Sequence, residues 1–186
     1  MRGGRFQRYQ YDTEELGSQS TQNNPKTETI PKYAKIQWDV APDKEYFDQL
    51  FRVSKNQIIW GGNYFSLPPT RCFLIWRKLT ISENFSMAMC EYAWTSFNTN
   101  AKMFEFMPQG KDRFHPTQKP VELYEWILSR YANKGDRILD THGGSMSSMI
   151  ACHRGGFEAT CLEINKTYYD KAIKRIKAEQ QQLSLF

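Results

Sequence analysis

Two acidic residues, Asp140 and Glu163, each follow a short apolar segment and lie 23 residues apart. Between them stands the turn His142-Gly143-Gly144-Ser145, whose backbone N–H groups would face a ligand from the start of a helix. A carboxylate at the end of the second strand can accept hydrogen bonds from both hydroxyls of a ribose. The pattern indicates a site for a nucleotide-type cofactor. A second interpretation remains open, in which the glycines only turn the chain and Glu163 is a surface carboxylate.

The elements that must position these residues have the order strand, glycine turn, helix, strand. β-favouring residues predict strands over 137–140 and 157–163, and residues 146–154 predict a helix that ends at Gly155-Gly156. Asn165 is a suitable N-cap for a last helix. This order is typical of a βαβ unit with two parallel strands.

The upstream half of the chain predicts further helices and strands. A helix is expected from Pro42 to about Ser54, and a second helix over 121–131 with Pro120 as its first residue. Strands are expected over 56–60, 72–76, 91–97 and 103–106. The first of these is apolar and stops at two glycines, which favours a buried parallel strand. The predicted fold class is therefore α/β.

Composition limits the class of protein. The chain has 186 residues, of which 40% are hydrophobic, so one domain with a sizeable core is expected. No apolar run approaches the about 20 residues of a membrane-spanning helix, so insertion into a membrane is disfavoured. The four cysteines form no CxxC pair, which argues against a zinc site or a disulfide framework and favours a cytoplasmic protein. A net charge of +5 permits binding to a polyanion.

The segment His115-Pro116-Thr117-Gln118-Lys119-Pro120 adds a specific motif, together with Ile138 to Ser145 and Cys161 to Asn165. With Phe51 to Phe65 and Cys90 to Phe97, these segments resemble the β class of S-adenosylmethionine-dependent amino methyltransferases that act on DNA, particularly the phage-type adenine methyltransferases. The resemblance covers roughly residues 38–179. It implies a circularly permuted, Rossmann-like methyltransferase sheet and methyl transfer from S-adenosylmethionine to adenine N6 in double-stranded DNA, in a bacterial or phage-infected cell.

The resemblance also implies which residues bind the cofactor. Thr117, Gln118 and Lys119 would cover its methionine end, and Glu163 would hold its ribose. Its methionine and sulfonium region would be faced by Asp140 and by the turn residues His142, Gly143, Gly144 and Ser145. For His115 the resemblance implies a structural role beneath the cofactor.

Two features of the chain depart from the family pattern. Met146 replaces the second glycine of the family's Gly-Ser-Gly turn, and it would weaken cofactor binding if this position needs a positive φ or a close approach of the cofactor. The catalytic Asp-Pro-Pro-Tyr motif is absent from the sequence, because Pro68-Pro69 lacks both the acid and the aromatic residue. The catalytic residues are therefore unassigned, and the sheet is expected to be incomplete at its N-terminal side.

The missing motif leaves two functional hypotheses. In the first, the chain is an adenine methyltransferase whose motif is replaced, is encoded upstream of an internal start at Met1, or is carried by a second polypeptide. In the second, it is a truncated, inactive relative that binds DNA, cofactor or a partner without turnover. A DNA-reading segment is expected between Leu79 and Asp112, with a solvated charged face as the alternative. Basic residues in and beside this segment surround its aromatic residues, namely Arg71, Lys78, Lys102, Lys111 and Arg113.

The two ends of the chain differ from the domain predicted over 38–179. Residues 1–37 are polar and have no apolar run that could form a buried strand, which predicts an arm or a long loop. Residues 180–186 resemble the C-terminal peptide by which bacterial and phage DNA-processing proteins hold the sliding clamp, with a tail packed on its own core as the alternative. The clamp-binding residues would be Gln182, Leu183, Leu185 and Phe186.

Overall fold

The computed structural model of the protein describes residues 40–108 and 113–182. The predicted arm 1–37, Lys111 and the clamp residues Leu183, Leu185 and Phe186 lie outside the described residues. In chain order the elements are α1 (Lys44–Val53), β1 (Ile58–Trp60), β2 (Phe73–Lys78), β3 (Cys90–Thr95), β4 (Lys102–Phe106), α2 (Val121–Tyr131), β5 (Arg137–Asp140), α3 (Ser147–Gly155), β6 (Glu158–Cys161) and α4 (Lys166–Gln181). The α/β class is confirmed.

Four of the strands form one sheet in the order β1-β3-β2-β4. β3 runs antiparallel to both of its neighbours, whereas β2 and β4 are parallel, with Leu74 opposite Lys102. The prediction of a buried parallel strand at 56–60 was wrong: among the described residues β1 is an edge strand, paired antiparallel with β3 and only half-buried. Ile58 and Trp60 of this strand pack against the apolar cluster that the sheet forms with α2.

The remaining two strands form the predicted βαβ unit. β5 and β6 are parallel, with Asp140 opposite Cys161, and α3 connects them. Because parallel strands end at the same edge, the acidic residues that follow or end them are brought together. Gly156 ends α3 in the left-handed conformation, as predicted from the glycine pair.

Capping residues fix the helix ends. The Asp43 side chain accepts a hydrogen bond from the N–H of Tyr46, and Asn165 accepts from the N–H groups of Thr167 and Tyr168. Pro120 is the N-cap of α2 and not its first helical residue, with ψ of 150°. α4 continues to Gln181, so the helix extends into the predicted tail. No helix in the described part of the chain is long and apolar enough to cross a membrane.

Helix α2 contributes side chains to two apolar clusters. Leu123 and Ile127 pack with residues of the four-stranded sheet, including Leu74 and Trp76. On the same helix, Val121 and Leu128 pack with α3 and with the half-buried Ile138 of β5. α2 therefore connects the four-stranded sheet to the βαβ unit.

Candidate functional site

The glycine turn after β5 is tied to the residue that follows β6. Gly143 donates its N–H to the carbonyl of Leu162 over 2.8 Å, and the N–H of Leu162 donates to the carbonyl of Asp140 over 2.9 Å. A Cβ atom at Gly143 would lie 2.4 Å from Sγ of Cys161. Only glycine therefore permits this close approach of the turn to β6.

Glu163 holds the same turn from the other side. Its Oε2 accepts a hydrogen bond from the N–H of Gly144, and its Oε1 accepts one from the N–H of Asn165, each over 2.7 Å. Gly144 has φ of +53°, a left-handed backbone that favours glycine. Each carboxylate oxygen has two lone pairs, so Glu163 can still accept hydrogen bonds from a ligand.

Asp140 accepts hydrogen bonds from the glycine turn and from the start of α3. Its Oδ1 accepts from the N–H of His142 over 3.0 Å, and its Oδ2 accepts from the hydroxyl of Ser148 over 2.5 Å. The two predicted acidic residues therefore both bind the turn, Asp140 through the N–H of His142 and Glu163 through the N–H of Gly144. Ser148, the second residue of α3, was not among the predicted site residues.

Met146, which stands where the family has the second glycine of Gly-Ser-Gly, adopts a left-handed backbone conformation. Its φ is +53°, and it is the only non-glycine residue with positive φ in the described part of the chain. It is also the N-cap of α3, and its side chain is only 2% exposed. The residue therefore combines backbone strain with a buried side chain.

These two properties oppose each other in the variant Met146→Gly. Relief of the left-handed strain stabilises by about 1–2 kcal/mol, whereas loss of a buried methionine side chain costs about 2–5 kcal/mol. We therefore expect a net loss of about 1–3 kcal/mol in the free energy of unfolding, measured by urea denaturation. Met146→Leu, which keeps the volume and the strain, should change it by less than about 1.5 kcal/mol. A glycine variant more stable than the wild type would contradict this balance.

His115 lies directly against the glycine turn. A Cβ at Gly144 would be 3.1 Å from its Cε1, and its ring centroid lies 4.3 Å from that of Tyr168. The N–H of Thr117 donates to Nδ1 of His115 over 3.3 Å. Burial, helped by Arg113 and Lys119 and opposed by Glu163, lowers the pKa of His115. The neutral ring therefore supports the turn by packing.

Lys119 is held by a network of charges on the four-stranded sheet, in which the two lysines are largely buried and Glu91 is 35% exposed. Its Nζ lies 2.9 Å from Oε2 of Glu91 and 5.2 Å from the ring centroid of Trp60. The other oxygen of Glu91 lies 2.7 Å from Nζ of Lys78. Lys119 and Lys78 are only 12% and 7% exposed. This network, Lys78-Glu91-Lys119, ties residues 113–120 to β2 and β3.

Thr117 and Gln118, also predicted to cover the cofactor, make local contacts in the same loop. Thr117 Oγ1 lies 3.1 Å from Nδ1 of His115, and Oε1 of Gln118 accepts from the N–H of Phe114 over 3.2 Å. The loop 113–120 thus contacts the glycine turn through His115 and the four-stranded sheet through Lys119. Thr117 itself is exposed.

The four described basic residues predicted to read DNA do not form one patch. Arg71 and Lys102 are exposed at the amino ends of β2 and β4, and Arg71 donates to Oδ1 of Asn100 over 2.6 Å. Lys78, at the carboxyl end of β2, is engaged by Glu91. Arg113 donates to the backbone carbonyls of His115 and Pro116.

Two exposed apolar residues flank Glu163 and were missed from the sequence. Leu162 is 54% exposed and Ile164 is 94% exposed. The sequence did indicate the exposure of Ile164. It stands between Glu163 and the N-cap Asn165, and a residue in so short a turn cannot reach the core. On the far side of Asp140, the Tyr46 hydroxyl lies 2.7 Å from Oγ1 of Thr141, so α1 borders the site.

Comparison with known proteins adds the following matches. A family model described as DNA methylase matches residues 7–174. Type II methyltransferase M.HpaI of Haemophilus parainfluenzae is 37% identical over 65 residues, which are 35% of this chain and 21% of that protein. Type II methyltransferase M2.DpnII of Streptococcus pneumoniae is 37% identical over 67 residues, which are 36% of this chain and 25% of that protein. The crystal structure of the M1.HpyAVI-SAM complex is 26% identical over 56% of this chain and 60% of that chain, with a TM-score of 0.49. The match to the two relatives thus spans at most a quarter of their length.

Proposed function

Since the chain belongs to the DNA methylase family, we propose that it forms the cofactor-binding part of an adenine N6-methyltransferase that acts on double-stranded DNA. The observation that carries the proposal is the arrangement at the carboxyl ends of β5 and β6. There Asp140 and Glu163 hold a two-glycine turn between them, with neutral His115 packed against it. S-adenosylmethionine carries a methyl group on a positively charged sulfur, which is the group that such an enzyme passes to the adenine amino nitrogen.

The residues at this edge fit that cofactor. Glu163 has lone pairs available for ribose hydroxyls, and Leu162 and Ile164 beside it offer apolar surface for a purine ring. Asp140 supplies negative charge near a ligand that carries positive charge. The glycine turn leaves backbone surface uncovered by side chains where the ligand would approach. Lys119 and Thr117 belong to the loop that borders this edge, which is the basis for keeping them in the proposed site.

A second candidate function is binding without turnover. It is favoured by the absence of an Asp-Pro-Pro-Tyr motif from the whole sequence. Under this hypothesis the chain alone binds S-adenosylmethionine or DNA but transfers no methyl group. Labelled methyl transfer to unmethylated duplex DNA separates the two functions. Turnover by the chain alone that is abolished in Glu163→Ala would overturn the second.

Cofactor binding is tested by titration calorimetry of the full chain with S-adenosylmethionine. Glu163→Gln should weaken binding about tenfold or more, because hydrogen bonds to a charged acceptor contribute about 1.5–3 kcal/mol. Glu158→Gln is the matched control, since Glu158 lies at the opposite end of β6 in an exposed pair with Arg137. Equal affinity in wild type and Glu163→Gln would contradict the assignment of the ribose site.

The C-terminal peptide is proposed to bind a bacterial sliding clamp. The support is the sequence, in which Leu183, Leu185 and Phe186 follow a helix whose surface is rich in lysine. Truncation after Ser184 should lower the affinity for an immobilised clamp at least about tenfold, since anchors of this kind carry most of the binding energy of short peptides. The melting temperature should be unchanged. Loss of the melting transition would show instead that the tail packs on the core.

A further inference from the structure

Arg175, on the last helix, reaches the residues that join the glycine turn to α3. Its Nη1 donates to the carbonyl of Ser145 over 3.2 Å and to Oγ of Ser147 over 2.9 Å. Both serines are buried. A charged donor forms stronger hydrogen bonds than a neutral one, so this contact ties α4 firmly to the start of α3.

The peptide group between Ser145 and Met146 is held on both of its sides. Its carbonyl oxygen accepts from Arg175, and its N–H, which belongs to Met146, donates to the carbonyl of Gly143 over 2.7 Å. A peptide group is planar, so these two polar atoms can only turn together. The contact with Arg175 therefore fixes the direction of the N–H that closes the glycine turn.

The same peptide group sets the strained dihedral angle of the site. Met146 has φ of +53°, which a residue with a Cβ atom adopts only at a cost. Rotation of the peptide group would bring φ of Met146 to a negative value and relieve that strain. The rotation would also break the bond from Met146 to Gly143 and withdraw the carbonyl of Ser145 from Arg175. The hydrogen bond from Arg175 therefore opposes a movement that the strain favours.

The start of α3 differs from the starts of α1 and α4, where a side chain caps the helix. Asp43 and Asn165 accept hydrogen bonds from the first N–H groups of those two helices. Met146 is the N-cap of α3, and its side chain makes no capping hydrogen bond. The conformation at Met146 thus lacks the local support that an N-cap side chain provides.

We infer that Arg175 is a positioning residue of the cofactor site, which holds the Ser145–Met146 peptide group against the left-handed strain that Met146 introduces. Glycine, which the related turns have at this position, carries no such strain. Arg175 therefore compensates for a feature of this particular chain. Its effect on S-adenosylmethionine rests on the proposed function, whereas its effect on the backbone of Met146 does not.

The first test measures the affinity of the full chain for S-adenosylmethionine by titration calorimetry. Arg175→Met should weaken binding about tenfold, because apparent affinity falls with the fraction of chains that keep the turn in its binding conformation. Lys174→Met is the matched control, since it removes the same charge from an exposed neighbour on α4. It should change the affinity by less than about twofold. An Arg175→Met variant that binds as well as Lys174→Met would overturn the inference.

A double variant distinguishes positioning from a general loss of stability. In the Met146→Gly background the left-handed conformation is free of strain, so Arg175→Met should weaken binding there by less than about threefold. A general effect on stability would not be smaller in this background, because Met146→Gly itself is expected to destabilise the chain. Equal losses of affinity in the two backgrounds would overturn the inference.

Magnetic resonance tests the backbone without the cofactor. The coupling between the amide and α protons of Met146 depends on φ, so it should change in Arg175→Met and stay the same in Lys174→Met. An unchanged coupling in Arg175→Met would overturn the inference. If the wild type binds no S-adenosylmethionine, the proposed function fails and this measurement alone decides the role of Arg175.

Because Arg175→Met can fail to fold, a measurement on the wild type is needed as well. The guanidinium protons of Arg175 should exchange with water more slowly than those of Arg130, whose side chain is exposed on α2. Equal exchange rates would show that Arg175 does not hold the buried carbonyl of Ser145, and they would overturn the inference.

Discussion

Gly143→Ala is expected to lower the free energy of unfolding by about 2–3 kcal/mol and to abolish measurable binding of S-adenosylmethionine. The new Cβ would lie 2.4 Å from Sγ of Cys161 and 3.1 Å from the backbone oxygen of Leu162. The turn cannot move away from β6 without breaking the bond from the N–H of Gly143 to Leu162. Urea denaturation measures the loss of stability, and titration calorimetry measures the loss of binding.

Two further variants separate the steric clash from a general effect of alanine. Cys161→Ala removes Sγ, so the double variant Gly143→Ala, Cys161→Ala should be less destabilised than the sum of the single variants. Gly135→Ala adds a side chain at φ of +94° where no atom lies within 4 Å, and should cost only about 1 kcal/mol of backbone strain without affecting binding. Additive single variants would show that the clash is not the cause.

Glu91→Leu is expected to be the most destabilising of these substitutions, at about 3–5 kcal/mol. It leaves the ammonium groups of Lys78 and Lys119 buried without the carboxylate that pairs with both. A buried charge without a partner costs far more than the net contribution of the pair. The free energy of unfolding in urea at pH 7 is the measurement.

Two control variants separate the effect of the unpaired lysine charges from the effect of lost packing. The triple variant Lys78→Met, Glu91→Leu, Lys119→Met carries no buried charge and should recover most of the lost stability. Glu105→Leu removes the partner of Arg77 in an exposed ion pair of the same sheet and should cost at most about 1 kcal/mol. If the triple variant is as unstable as Glu91→Leu, the loss comes from packing and not from charge.

The same network predicts a pH dependence. Burial alone would raise the pKa of Glu91, but Lys119 and Lys78 together outweigh it and lower the pKa below its ordinary value of 4.5. The folded chain then binds this proton more weakly than the unfolded chain does. The stabilisation is therefore complete above pH 4.5 and is lost as the pH falls through the folded-state pKa. The triple variant should lose less stability over that range than the wild type.

Local patterns predicted much of the fold because their causes are local. Val121–Tyr131 has the predicted bounds, set by Pro120 before it and by a polar turn after it. Asn165 caps α4 through its own side chain, a contact within three residues. The interactions that set the ends of these helices lie within the helix or the few residues beside it.

Long-range partners were not visible in the same way. Glu91, which holds Lys119, is separated from it by the rest of β3, all of β4 and a loop, and no spacing rule connects the two. Lys78 was read as a DNA contact, yet it continues the alternation of Leu74 and Trp76 on the buried face of β2. That alternation was present in the sequence, but a lysine on such a face has a clear meaning only once its carboxylate partner is known.

The glycine turn has a consequence for the order in which the protein folds. The N–H groups of Gly143 and Gly144 are satisfied by Leu162 and Glu163, which follow β6, and not by neighbours in the turn. The turn therefore cannot acquire its final shape until β6 has paired with β5. A ligand that recognises this shape binds a late product of folding, so it slows unfolding and leaves the folding rate nearly unchanged.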